Sequence, residues 1–208
     1  MYGNTHATTP APFLDRIDFN PDDSVTLRLG PGDMFAPRKS MQLASMAMYW
    51  NGLFIFDMPH MPSGFGLSPW LWLMSANWPN NGSIGLVNGV HNAVQNTINA
   101  NTRTGCTMGT EGYSGSFLMT KHIDQSLHGD CQTNQPGQPN TDAQGCGILS
   151  PDTSSFGAAW NAKGGGVIAL DWSENGITVW QWNKANVPAD ITAGHPIAGS
   201  DGWGTPVS

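Results

Sequence analysis

With 208 residues, the chain is long enough to bury one sizeable core, and its composition does not change character along its length, so a single domain over 1–208 is expected. Charged residues make up only 11% of it, and the formal net charge of -7 leaves no basic patch for a phosphate backbone, which argues against nucleic acid as a partner. No apolar run is long enough to span a bilayer, since the most apolar window, 64–74, is interrupted by Ser68 and Pro69, and no membrane association is expected.

Taken in chain order, Ser24-Val25-Thr26-Leu27-Arg28-Leu29 alternates between apolar and polar residues, as does Met41-Gln42-Leu43-Ala44, and each predicts a half-buried strand. Leu53 to Phe56 is continuously apolar and predicts a fully buried strand. So does Val167 to Leu170, and Ile177-Thr178-Val179-Trp180-Gln181-Trp182 returns to alternation. Turn signals separate these runs at Pro31-Gly32-Asp33, Asn80-Asn81-Gly82 and Gly164-Gly165-Gly166, and no segment sustains a helical period. A two-sheet antiparallel sandwich follows. The polar segment from Gly109 to Asn140 is too long for an ordinary connection and is expected to form a loop on the rim of a cleft.

Nine tryptophans are many for such a chain. Core packing suits Trp160, Trp172 and Trp180, whereas Trp72 and Trp78 flank turns and could equally offer an indole face to the CH-rich face of a pyranose. Cys106, Cys131 and Cys146 show no CxxC spacing, so neither a zinc nor a redox site is predicted. Cys131 and Cys146 bracket a short polar segment and are expected to be bonded, since closing a loop of about fifteen residues contributes roughly 3 kcal/mol in the chain-entropy model. Cys106 is then the odd one, and the bond implies an oxidising compartment. Met1 to Pro12 lacks the basic start and apolar middle of an export signal.

One stretch carries a family resemblance. Gly52-Leu53-Phe54-Ile55 with Asp57 is followed by His60-Met61-Pro62, Gly64, Gly66, Pro69 and Trp72, then Asn77-Trp78-Pro79-Asn80 and Ser83-Ile84-Gly85-Leu86-Val87-Asn88-Gly89-Val90. In order and spacing this resembles the fungal endo-1,3(4)-β-glucanases of glycoside hydrolase family 16, the laminarinase type, whose catalytic strand reads EIDIIEGV. Further on, Gly145-Cys146-Gly147, Phe156-Gly157, Asn161-Ala162-Lys163-Gly164-Gly165-Gly166, Asn186-Val187-Pro188 and Trp203-Gly204-Thr205-Pro206 fall where that family has similar strings. The resemblance implies a concanavalin-like jelly roll with a concave glucan-binding cleft, from which C-terminal strands are missing. It also implies secretion, a monomer and a β-1,3(4)-glucan as partner, with no cofactor and no catalytic metal; a structural calcium is left open.

It further assigns Ser83, Gly85 and Asn88 to the positions of the family's nucleophile, assisting Asp and acid/base. Retaining glycosidases hold two carboxylates roughly 5 to 5.5 Å apart across the scissile bond, which suits side chains on one face of one strand. The first two positions are two residues apart and share a face, while the third needs one extra residue in a bulge to return to it. The count survives and the acids do not: a lone serine, a glycine and an amide cannot carry out double displacement. Asn101 stands where the family has a His beside the nucleophile and Asp171 where it has a cleft Glu, and the resemblance implies substrate contacts for both, as for His60 of the turn motif. The carboxylates of Glu111, Asp124 and Glu174 have no defensible spacing to a partner. In the aromatic turn, the family's cleft Trp is Ser68 here and a new one stands at Trp70. As written, the sequence implies a glucan-acting domain without catalysis. The alternatives are an active retaining endo-β-1,3(4)-glucanase, which requires Glu at 83 and 88, and a sandwich that only binds glucan or serves as structure.

Overall fold

A computed structural model describes residues 17–28, 40, 42–78, 81–103, 105–118, 131–133 and 145–208. The chain divides into two compact units, 1–48 and 49–208. In the first, β1 (Ile17–Phe19) and β2 (Val25–Leu27) pair as an antiparallel hairpin with Asp18 opposite Thr26. The strand expected at 24–29 is present at 25–27 but is exposed throughout rather than half-buried, because the hairpin's second strand packs on nothing among the described residues, and Arg28 pairs with Asp18 at the surface. Gln42 to Ala44 form no strand and lie exposed, because alternation alone stabilises nothing without a neighbour to complete the ladder. Met41 and the turn at Pro31-Gly32-Asp33 lie outside the described residues.

The second unit is an antiparallel jelly-roll sandwich. Its larger sheet has five strands in the order β4 (Trp70–Met74), β5 (Ser83–Asn88), β6 (Thr97–Asn101), β8 (Cys146–Leu149), β7 (Ser116–Phe117). Its smaller sheet has three, β10 (Gly176–Asn183), β9 (Gly166–Ser173) and β3 (Gly52–Met58). Leu86, Val87, Ile98 and Ile148 from the first sheet pack with Ile168, Leu170 and Val179 from the second, and Phe54, Phe56 and Trp172 border this core. β9 is central in its sheet and buried throughout Gly166 to Leu170. β3 is an edge strand, which is why Leu53 to Phe56 is half-buried rather than fully buried as its apolar run predicts.

Two short helices, α1 (Gly157–Ala162) and α2 (Ala189–Thr192), carry no amphipathic period because neither is long enough to need one. Trp160 of α1 is fully buried, and its indole N–H donates to the Met58 carbonyl at 2.9 Å. The far face of the smaller sheet is covered by Trp203 and Ile191, which pack on Ala169, Trp180, Leu53 and Ile55. Asp190 organises that cover by accepting hydrogen bonds from Trp203 Nε1 at 2.8 Å and from the backbone N–H groups of Ile197 and Ile191.

Candidate functional site

The strand singled out by its spacing is β5, and its register shows how it is built. Trp70 lies opposite Asn88 and Leu71 opposite Val87, but Trp72 lies opposite Gly85 and Met74 opposite Ser83, so Leu86 is an extra residue. In an unbroken strand, residues 85 and 88 would face opposite ways. The bulge returns Asn88 to the face that carries Ser83 and Gly85, and it leaves Leu86 and Val87 both in the core at 0% and 1% exposure.

A bulge leaves backbone groups without ladder partners, and one buried side chain satisfies them here. Asn96 accepts the Asn88 N–H at 3.0 Å and donates to the Leu86 carbonyl at 2.7 Å. Its second amide hydrogen reaches Gln181 Oε1 at 3.1 Å, and its own backbone N–H donates to Ser155 Oγ at 2.8 Å. Gln181 Nε2 closes the network on the Ser155 carbonyl at 2.7 Å. Asn96 is on the larger sheet's side and Gln181 on β10 of the smaller, so the bulge is held from across the core. Neither residue stands out in the sequence; a single Asn before the apolar-alternating run of β6 was the available signal.

The outward face is different. Asn101 Nδ2 donates to Ser83 Oγ at 3.2 Å, and Gly85 lies opposite Asn99. A Cβ on Gly85 would lie 1.9 Å from Asn99 Oδ1 and 2.9 Å from its Cγ, so the Asn99 side chain fills the place a side chain at 85 would need. Asn99 Oδ1 is buried and has no hydrogen-bond partner among the described residues. Ser83, Gly85 and Asn88 therefore share one face, and none of them ionises in any useful range.

Along β4, Trp70 and Trp72 project on that same face, 49% and 39% exposed, with ring centroids 5.3 Å apart in an edge contact. Trp78 is also exposed, in the turn that joins β4 to β5. That turn is tied back by the Ser75 N–H, which donates to the Gly82 carbonyl at 3.3 Å. Position 82 has φ +77 and a Cβ there would lie 2.5 Å from the Asn101 carbonyl oxygen, which only glycine tolerates. Cys131 and Cys146 are bonded. Thr102, next to Asn101, donates its N–H to the Cys131 carbonyl at 2.8 Å, so the bond fastens residues 131–133 beside the end of β6. Cys106 is free and exposed. The segment expected as one long loop contains β7, paired to β8, while 119–130 and 134–140, with Asp124, lie outside the described residues.

One expected contact, Asp171, is not brought to this face. Asp171 lies on β9 directly opposite Leu53, which packs with Ala169 on the far face of the smaller sheet. Strand alternation therefore points Asp171 away from the larger sheet and excludes it from the cleft. His60 Nε2 lies 3.1 Å from Asn161 Nδ2, and Asn161 also clamps both backbone groups of Met61 at 2.9 Å, so this turn motif joins β3 to α1. The imidazole that does brace the cleft is His91, which the sequence did not flag. Its Nδ1 accepts the Gly66 N–H at 3.0 Å and its backbone N–H donates to the Leu67 carbonyl at 2.9 Å, holding the turn that leads into Trp70. Among the described residues no group of His, Cys, Asp and Glu could hold a metal ion, and no helix is long and apolar enough to cross a membrane.

Residues 25–208 match the family described as XgeA-like, catalytic GH16 domain. A probable glycosidase of Schizosaccharomyces pombe is 36% identical over 171 residues, 82% of this chain and 38% of that protein. The endo-1,3(4)-beta-glucanase xgeA of Emericella nidulans is 31% identical over 180 residues, 86% of this chain and 24% of that one, so the chain spans well under half of these curated relatives. An elongating family 16 beta-1,3-glucosyltransferase superposes with a TM-score of 0.74 at 26% identity, covering 94% of this chain and 62% of that one. Laminarinase 16A from Phanerochaete chrysosporium, with beta-glucans in its donor and acceptor sites, superposes with a TM-score of 0.64 at 31% identity, covering 79% and 52%.

Proposed function

The chain belongs to glycoside hydrolase family 16, in its XgeA-like group, and on that premise we propose that it holds β-1,3(4)-glucan in the face of β5 without cleaving it. The single observation that carries this reading is the pairing of Gly85 with Asn99: the space for the assisting acid is occupied by a neutral amide. Ser83 and Asn88, on the same face, offer neither a carboxylate nucleophile nor a group that exchanges a proton with a leaving oxygen. What the face does offer is suited to a neutral sugar. Ser83, Asn88 and Asn101 supply hydrogen-bond donors and acceptors, and Trp72 and Trp78 supply exposed indoles for apolar sugar faces. The reading calls on no cofactor. It takes the protein as a monomer acting outside the cell, for which the Cys131–Cys146 bond is the supporting feature.

The test pairs affinity electrophoresis in laminarin with an assay for released reducing ends, on protein whose peptide mass across 77–91 confirms Ser83 and Asn88. Retarded migration without reducing ends is expected. Hydrolysis with retention by that confirmed sequence would overturn the loss of catalysis, and neither binding nor hydrolysis would leave a purely structural sandwich.

A further inference from the structure

We propose that Trp70 is a sugar-binding residue of this cleft, forming with Trp72 a corner of two indoles into which one pyranose ring of the β-glucan stacks. The inference rests on the glucan-binding reading above and adds a residue to it. Trp70 is the outermost cleft-facing residue of β4, the edge strand of the five-stranded sheet, and lies in register with Asn88. An indole left 49% exposed on a sheet face gains little from core packing, yet this one is held in place. Its Nε1–H donates to Ser68 Oγ at 2.7 Å, and the Ser68 hydroxyl donates in turn to the Gly89 carbonyl at 3.2 Å.

That chain of bonds has two consequences. The indole N–H is satisfied inside the protein, so the exposed part of the ring is its π-face and CH edge. The ring is also fixed before any ligand arrives, which removes an ordering cost from binding. With Trp72 at an interplanar angle of 66°, the two rings make a floor and a wall. A β-linked glucose fits such a corner because its hydroxyls are equatorial and its ring hydrogens axial, giving apolar faces with a polar rim. The rim hydroxyls would meet the Asn88 amide across the strand pair. His91 fixes the turn before Trp70 through Gly66 and Leu67, so the corner stands on a braced loop.

The experiment is calorimetric titration of the whole protein with laminarihexaose, with far-UV circular dichroism reading the exciton couplet of the Trp70–Trp72 pair as the difference between the parent and Trp70→Phe, because Trp203 also meets Trp180 and Trp182 edge-on. Trp70→Ala is expected to weaken binding by about tenfold with an unchanged melting temperature, as for an exposed anchor at a recognition site. Trp70→Phe is expected to retain most of the affinity, and Ser68→Ala, which frees the indole, to lose it severalfold. Sugar should perturb the exciton band of the unaltered protein. Should Trp70→Ala fail to fold, Ser68→Ala and the exciton response decide. Unaltered affinity in Trp70→Ala and Ser68→Ala, while the parent binds, overturns the role of Trp70 alone. A parent that binds no laminarihexaose overturns the glucan-binding reading and this inference with it. Concentration-dependent association that Trp70→Ala abolishes would assign the corner to a second copy of the chain instead.

Discussion

The two faces of β5 differ more than any two regions of this molecule. On the inward face, Leu86 and Val87 fill the core, and the Leu86 carbonyl and Asn88 N–H at the bulge have partners in Asn96. On the outward face, Ser83, Gly85 and Asn88 carry no charge, and Asn99 Oδ1 lies buried without a partner among the described residues. Alternate residues of one strand thus serve separate demands. The packing face answers to the fold and the outward face does not, so one can change its chemistry while the other keeps its register.

The largest test of that contrast falls on Asn96. Asn96→Ala strands the Leu86 carbonyl and the Asn88 N–H in the core, and is expected to lower unfolding free energy by about 3 kcal/mol or more, read from the urea midpoint. Leu86→Ala, on the same inward face, should cost about 3 kcal/mol through lost burial and the cavity left behind. Loss of either value below about 1 kcal/mol would mean that the bulge is not the anchor described here.

On the outward face the effects shrink. Gly85→Ala meets only the end of the Asn99 side chain, which can swing aside, so a cost of about 1 kcal/mol is expected and should vanish in an Asn99→Gly background. Absence of that coupling in the double-mutant cycle would show that Asn99 does not occupy the space at 85. Ser83→Ala should change stability by less than about 0.5 kcal/mol, because its hydroxyl makes one partly exposed hydrogen bond.

Asp190 lies outside both faces, and what it contributes to stability is lost in acid. Hydrogen bonds from the Ile197 N–H, then from Trp203 Nε1 and the Ile191 N–H, hold its carboxyl below the usual carboxylate range against the opposing effect of desolvation. A folded-state value below the unfolded one means stability present above about pH 4 and lost as pH falls through the folded value. Melting followed from neutral pH into acid should show that loss in the parent, and a smaller one in Asp190→Asn.

Much of this was legible beforehand because it is local. The apolar alternation at Ile177 to Trp182 marked β10, and the spacing of Cys131 and Cys146 marked their bond. The run from Ser83 to Asn88 carried the family resemblance and the residue count that demands a bulge. Where local pattern misled, a neighbour was missing from the argument. Gln42 to Ala44 alternate but pair with no strand among the described residues, and the Leu53 run reads as fully buried until β3 is seen to be an edge.

The sequence by itself determined the all-β class, the family, and that positions 83, 85 and 88 carry no carboxylate, since each is a statement about residues adjacent in the chain. Only the tertiary structure decided which face Asp171 takes, that Asn99 fills the place beside Gly85, that Gln181 and Ser155 secure Asn96, and that Trp70 meets Trp72 above Asn88. Those are matters of register between strands, and one residue of slip or one bulge reverses every side chain beyond it. Register is set by the sum of packing across both sheets, which no single stretch of the chain contains.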